Sequence, residues 1–523
     1  MIEVVDLLYK NPHELIKTPN QEESMKHLLL EEVINGATVN PQLQQDIYDL
    51  ISVPEPDPEN IIWRRDILDD FLSNPALFDD LRAILGIHDE ISKGMRNASR
   101  GGGSAVVSKK ELTGRDSQIF KMRSYAECIV RTIEMYEETA KIIKPRRLTS
   151  EAFCKIKDLV NREIRKSETM QLKALAKELS ESMVTRILDS VENAAASKPL
   201  DTSFIISMDL NKYFCVEDVE MLELDSNPYN YKDPKKRAEF DSQSRIEYIG
   251  FDDIDDGQLR LLVEKSIARL CRQMEHIVSE MKKPFEKISR GIYFYRFGIG
   301  LDNKIRELGL PVCLPSIDRD DLRRFECSFA CDFWLALNMK KKDRYCRPGD
   351  MVVPNDIYLG PTDGSLVITG KNNAGKTVFL RTIGVIQALA QAGLPVPAET
   401  CYISPVHGLY AYFTAMDTGN GRFEDEVKSI SSMLDIVKEG DLVLLNEAFQ
   451  STAYEEAADV LCNVLAYAAA SGFRCISVTH LPGVKEHMRE LEGEFKLAYR
   501  AKFAEAAVDS EGNATHKIVV QRG

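Results

Sequence analysis

The sequence predicts a multidomain protein: a mainly α-helical region followed by an α/β domain built around a glycine-rich loop. Three observations carry this. Residues 370–377 read GKNNAGKT, which fits G-x-x-x-x-G-K-[ST], with an apolar strand before it and a helical pattern after it. From about Phe325 short apolar strands alternate with helices, the pattern of a mostly parallel sheet covered by helices. Before that point apolar residues recur at three- and four-residue steps over long stretches, as on packed helices. The expected divisions are a helical N-terminal extension over 1–50, a helical region over 51–324 and the α/β domain over 325–523.

Taken in order, residues 1–50 read as short helices with polar breaks. PEPDPEN (54–60) punctuates, and Ile61 to Leu85 reads as one helix. Gly101, Gly102 and Gly103 sit between no clear strand and helix, so they predict a surface loop rather than a phosphate cradle. Residues 109–195 are mostly helical, with Leu172, Leu175, Leu179, Met183 and Ile187 as an apolar stripe. A β segment follows, from Phe204 to Leu210 and from Val219 to Leu224. A second long helix runs from Gln258 to Met281, its seam Ile267, Leu270, Met274, Ile277 and Met281. In the α/β region the pattern predicts strands at Leu366–Thr369, Leu442–Leu445 and Cys475–Thr479. It predicts helices at 376–392, closed by Gly393, and 454–470, closed by Gly472.

Composition bounds the function. The 523 residues carry 67 basic and 82 acidic side chains, a net charge of −15. That excludes uniformly strong nonspecific nucleic-acid binding, so any such surface must be a local basic patch. The N-terminus has early acids and no long apolar core, and no window suggests a membrane span. The 11 cysteines include no C-x-x-C pair, and Cys327 and Cys331 lack a matching His or Cys pair for zinc. Free thiols in a reducing cytoplasm are the expectation.

The glycine-rich loop carries the chemistry. Gly370, Lys371, Asn372, Asn373, Ala374, Gly375, Lys376 and Thr377 form the expected nucleotide cradle. The backbone N–H groups from Asn372 to Thr377 face an anion at a helix N-terminus. Lys376 reaches the β- and γ-phosphates of ATP, and the Thr377 hydroxyl ligates Mg²⁺. Downstream, the strand Leu442–Leu445 ends in Asn446 and Glu447. Asn446 stands where an acid commonly holds Mg²⁺ and keeps an oxygen without the charge. Glu447 is the candidate to polarise the attacking water, and a second metal-facing oxygen; the alternative is a solvated carboxylate beyond a strand end. His480 closes the strand ending VTH and is placed to sense the γ-phosphate; the alternative is a structural histidine.

These pieces together resemble the MutS family of DNA mismatch-repair ATPases. The likeness rests on VPNDI (353–357), the extended loop and helix GKNNAGKTVFLRTIGVIQALAQAGLPVPAE (370–399), NEAFQST and THL. It rests upstream on DLNKYFCVEDVEML and YFYRFGIGLDNKIRELGLPVCLPSI. The resemblance implies an ABC-type ATPase domain, ATP and Mg²⁺, and a homodimer whose partner completes each nucleotide site. It implies a core with helical levers and a DNA clamp over 51–324. It adds Asn355 to the nucleotide-binding set, and Ser451 and Thr452 as the family's serine-threonine loop. In GNGRFEDEV, Gly421 or Arg422 stands where the family's trans-acting segment has a serine, so Arg422 is a candidate finger on a partner's γ-phosphate or a surface arginine. Glu424, Asp425 and Glu426 read as the acidic first turn of a helix. Ala374 and Lys371 replace a common glycine and proline, and Ala374 is tolerable if its φ is negative.

A mismatch reader of the G-x-F-x-E type is not evident, nor an Smr-like tail, so the expectation is a short member acting on DNA structure in repair or recombination. For DNA phosphates, residues 141–177 offer eleven basic against four acidic side chains. Among them Arg146, Arg147, Arg162, Arg165 and Lys166 are the contact candidates. The competing expectation is a nucleotide-switched protein scaffold with weak or no hydrolysis and no DNA binding, which Asn446 favours.

Overall fold

The computed structural model describes residues 5–13, 17, 19–37, 41–99, 114–180, 203–210, 216–225, 256–319, 323–414, 422–449, 453–495, 497 and 499–521. The elements in chain order begin with helices α1 (Pro19–His27), α2 (Leu30–Ala37), α3 (Pro41–Ser52), α4 (Pro58–Ser73) and α5 (Pro75–Ser99). Helices α6 (Gly114–Ile143), α7 (Glu151–Arg165) and α8 (Ser167–Glu178) precede strands β1 (Ser203–Leu210) and β2 (Val216–Asp225). The long α9 (Asp256–Glu307) leads to β3 (Ser316–Ile317), β4 (Phe325–Ala330), α10 (Phe333–Lys342), β5 (Asn355–Leu359) and β6 (Asp363–Thr369). Then come α11 (Lys376–Gln391), β7 (Thr400–Ile403), β8 (Leu409–Phe413), α12 (Arg422–Leu434) and β9 (Leu442–Asn446). The last are α13 (Tyr454–Ser471), β10 (Arg474–Val478), α14 (Val484–Phe495), β11 (Arg500–Val508) and β12 (Ala514–Val520). The chain divides into two compact units: one holds 1–5, 79–147 and 154–287, the other 6–78, 148–153 and 288–523.

In the first unit the described part of the helical stretch expected over 109–195 is mostly helical, residues 109–113 and 181–195 lying outside the described residues, and β1 pairs with β2 as an antiparallel hairpin from Ser203↔Asp225 to Leu210↔Val216. Two packing expectations need correction. The buried seam of α9 runs through Cys271, Met274, Val278, Met281 and Phe285. The three- and four-residue alternation holds, but Leu270 and Ile277 are only half-buried because the neighbouring positions 271 and 278 face inward. Tyr136 of α6 closes this seam, its ring edge-on to Phe285 at 5.0 Å and its hydroxyl donating to the Met281 carbonyl at 2.7 Å. On α8 the expected stripe is not a core face. Leu172 is half-buried and Leu175 exposed, while Ala176 is buried and Lys173 pairs with Glu137 of α6 at 2.8 Å. Met183 and Ile187 lie outside the described residues, as do Gly101, Gly102 and Gly103. The side chain of Ile267 also falls outside them.

The helix expected over Ile61–Leu85 is two helices. Asn74 leaves helical geometry at φ −130°, ψ 77°, and Pro75 has no N–H to continue the ladder. Asp57 caps the start of α4 by accepting from the Glu59 N–H at 2.9 Å.

The second unit holds a six-stranded sheet in the order β12-β11-β6-β10-β9-β8 and a four-stranded sheet β3-β7-β4-β5. In the larger sheet β11, β6, β10, β9 and β8 run parallel and β12 is antiparallel. Every residue of β9 and β10 is buried, as expected for strands covered on both faces. Val443 and Leu445 join a core with Ile430 and Met433 of α12 and Leu461 and Leu465 of α13. Leu444 points the other way, against Gly384 of α11. Helix α11 is buried around nearly its whole circumference, so its apolar character all round reflects a central position. Gly393 and Gly472 follow α11 and α13 in left-handed geometry, as their positions predict.

Candidate nucleotide-binding site

Strand order creates the site. Val478 of β10 pairs with Ile368 of β6 on one side and Asn446 of β9 on the other. These strands are parallel, so the residues just beyond their ends share one edge of the sheet: Gly370, Glu447 and His480. Loops at that carboxyl edge are where open α/β sheets present ligand-binding groups.

The loop 370–375 depends on backbone that ordinary residues resist. Gly370 sits at φ +138°, and a Cβ there would come within 2.7 Å of the Ala506 Cβ. Gly375 takes φ +89° and opens α11. The third left-handed residue is Asn373 at φ +61°, a type that tolerates this region. Ala374 is outside the positive-φ region, buried, with its N–H donating to the Lys371 carbonyl at 3.3 Å. Alanine at 374 is therefore compatible with the loop.

Lys376 is 4% exposed. Its Nζ donates to the Gly370 carbonyl at 2.7 Å and the Lys371 carbonyl at 3.0 Å, and lies 3.9 Å from the Glu447 carboxylate. Burial pulls the ammonium pKa below its ordinary value, against an opposing push from Glu447. The Thr377 hydroxyl donates to Asn446 Oδ1 at 2.9 Å. Thr377, Asn446 and Glu447 thus form a set of oxygen donors beside the loop. Oxygen ligands of this kind suit a hard cation such as Mg²⁺, with fewer charges than two carboxylates would bring.

Glu447 is held in the left-handed region at φ +54°, its N–H donating to the Val478 carbonyl at 2.9 Å. His480 is half-buried, its ring edge-on to Tyr454 at 6.0 Å, and its Nδ1 is buried without a hydrogen-bond partner. Lys371, Asn372 and Asn373 are exposed, and Lys371 Nζ donates to the Gly512 carbonyl at 3.2 Å. Asn355 bonds to β12: its amide donates to the His516 carbonyl at 3.1 Å and accepts from the Ile518 N–H at 2.8 Å. It pins β12 to β5, and His516 of that strand lies against Gly375. Arg422 begins α12, but its side chain is outside the described residues, as are Gly421, Ser451 and Thr452.

Two neighbours were not evident as site residues. Glu426 is not a solvated first-turn acid. It is 2% exposed and accepts from the Phe449 N–H and the Thr414 hydroxyl, both at 3.0 Å. Helical spacing holds the missing signal, since Glu426 lies four residues before the buried Ile430 and so on the buried face of α12. His516, at φ +58° beside the loop, carries no comparable pattern.

The candidate DNA contacts belong to the first unit. Arg146 pairs with Asp80 and donates to the Ile142 carbonyl at 2.8 Å; Lys166 pairs with Glu163 at 2.7 Å. Arg162 is exposed, with Nε 3.6 Å from Glu163. Arg147 and Arg165 are exposed. Among the described residues no helix is long and apolar enough to cross a membrane.

Residues 366–518 match MutS domain V. The stretch contains the loop, β9, β10, β11 and most of β12. The chain is 32% identical to endonuclease MutS2 of Bacillus velezensis over 161 residues, 30% of this chain and 20% of that protein. It is 34% identical to endonuclease MutS2 of a Geobacillus strain, WCH70, over 148 residues, 28% and 19% of the two chains. With endonuclease MutS2 of Geobacillus thermodenitrificans it shares 27% identity over 234 residues, 44% of this chain and 28% of the relative. The chain thus spans about a fifth of the length of the first two relatives.

Proposed function

Because residues 366–518 make this chain a MutS-family protein, we propose that it binds ATP with Mg²⁺, hydrolyses it, and couples that cycle to a DNA clamp in repair or recombination. In this reading 325–523 is the ABC-type ATPase domain, 51–324 the core, levers and clamp, and 1–50 a helical extension. The observation that carries it is the convergence of Lys376, Asn446, Glu447 and His480 on one sheet edge, with Lys376 buried against two loop carbonyls.

The chemistry follows from those side chains. Lys376 exchanges the Gly370 and Lys371 carbonyls for β- and γ-phosphate oxygens, and the N–H groups at the start of α11 receive the same anion. Thr377, Asn446 and Glu447 would hold Mg²⁺, which supplies charge neutralisation to the phosphates when bound. Glu447 orients the attacking water and takes its proton as the γ-phosphoryl group leaves ADP. His480, with its uncommitted Nδ1, contacts the γ-phosphate directly or through water. A second protomer completes the site, with Arg422 at the start of α12 and Ser451 and Thr452 beyond β9 as its candidates.

The DNA part rests on Arg146, Arg147, Arg162, Arg165 and Lys166 as backbone contacts, giving binding to DNA structure rather than to a mismatched pair. The nuclease in the relatives' name belongs to proteins of which this match covers a fifth, and it is not carried over. A second reading, a nucleotide-switched scaffold with slow turnover, is favoured by the neutral Asn446, whose oxygen accepts from Thr377. Steady-state ATPase with and without duplex, mismatched and branched DNA decides between them. Turnover stimulated by a DNA form supports the clamp. Salt-insensitive DNA binding with no stimulation sinks it.

A further inference from the structure

We propose that Glu426 is a positioning residue for Glu447, a role that rests on the nucleotide reading above. The backbone following β9 is unusual. Glu447 and Phe449 are both non-glycine residues in the left-handed region, at φ +54° and +66°. Such geometry persists only where surrounding contacts over-determine it. Among the described residues several specific contacts do this. The Glu447 N–H donates to the Val478 carbonyl at 2.9 Å. The Glu447 carbonyl lies 3.0 Å from the Thr414 hydroxyl, and the Thr414 N–H donates to the Asn446 carbonyl at 3.3 Å. Glu426 Oε1 takes the Phe449 N–H and lies 3.0 Å from the same Thr414 hydroxyl.

Thr414 has one hydroxyl proton and two acceptors at equal distance. The carboxylate of Glu426 is the stronger acceptor, so the hydroxyl and the Phe449 N–H converge on it. The residue thereby anchors both flanks of Glu447: the strand end at Thr414 and the turn at Phe449. The Phe449 ring is buried in the same core as Ile430 of α12, which fixes the turn from the opposite side. A shift of α12 along its axis moves Glu426, and with it the peptide groups that aim Glu447. These two bonds go to the groups flanking Glu447, so Glu426 acts on the reaction through Glu447.

The test combines binding and turnover. Glu426→Ala should leave Mg-ATP affinity within about twofold of wild type and lower the single-turnover hydrolysis rate by about tenfold to a hundredfold, as a misplacement of about 1 Å does. Glu426→Gln keeps an oxygen for the Phe449 N–H and should restore most of the rate. In the double variant with Glu447→Gln, Glu426→Ala should add no further loss, since both act on one step. Equal loss of affinity and rate in both Glu426 variants, or full additivity in the double variant, overturns the assignment. Wild-type turnover that Glu426→Ala leaves intact overturns this assignment alone. Wild-type protein that binds ATP and never hydrolyses it overturns the hydrolytic reading together with it.

Discussion

Lys376 and Lys166 are the same side chain in two settings. Lys166, at the start of α8, is exposed and answers the carboxylate of Glu163 three residues earlier. Only the lysine end of that pair meets solvent, Glu163 being buried, and salt screens it in part. Lys376, at the start of α11, is buried against two carbonyls with a carboxylate further off at 3.9 Å. One region spends its charges locally and stays adaptable. The other holds a desolvated cation among backbone groups whose geometry glycine and neighbouring strands enforce. Buried, fixed dipoles act strongly on a phosphate; solvated ones act through number and are readily screened.

The largest way to break that contrast is Lys376→Ala. Loss of a buried charge-assisted contact to phosphate should weaken ATP binding by about a hundredfold or more. Calorimetric titration reads it, and near-wild-type affinity removes the loop from the site. Next, Glu447→Gln should leave ATP bound and lower turnover by roughly 10²–10⁴-fold. Unchanged turnover would take Glu447 out of the mechanism. Gly370→Ala tests the backbone rather than the charge. Its φ and the contact with Ala506 should cost about 1–3 kcal/mol, seen as a lower unfolding midpoint; an unshifted midpoint would show that the loop relaxes freely.

On the solvated side, Arg147→Glu and Arg165→Glu should each lower the slope of log affinity against log salt for duplex DNA by about one. Arg146 and Lys166, already paired with carboxylates, should lower it less. Equal slopes for all four variants would show that the ion pairs do not compete with phosphate. The smallest expected change is Asn446→Asp, which restores a negative oxygen and should tighten Mg²⁺-dependent ATP binding several-fold. Weaker binding would show that the Thr377–Asn446 hydrogen bond requires a neutral partner.

Legibility in the sequence followed locality. The helices and strands read at 376–392, 442–445, 454–470 and 475–479 lie within a residue of the observed elements because short apolar strands and glycine caps are local signals, whereas β6 starts three residues earlier than read and β7 and β8 were not read at all. The break at Asn74–Pro75 was also local, yet the apolar spacing on both sides masked it. The seam of α9 was right in rhythm and off by one residue at two positions, since the packing partners, not the spacing, decide which neighbour faces inward. The loop, Asn446, Glu447 and His480 were legible because motif and strand end coincide. The burial of Glu426 could be read from its helical spacing to Ile430, but its bond to Phe449, 23 residues on, could not, nor could the tie of Asn355 to β12 about 160 residues away. No spacing rule reports a hydrogen bond closed across that distance.

The β11–β12 hairpin has a meaning that its place at the end of the described chain conceals. Ala506 backs Gly370, the Gly512 carbonyl receives Lys371, and His516 flanks Gly375 while Asn355 ties its strand down. Those contacts make the hairpin a splint for the loop: a mould against which eight residues far upstream set their shape. Damage to it, by truncation or by proteolysis in the turn at Asp509–Asn513, would be read in the laboratory as a nucleotide-binding defect in a protein whose every motif is intact.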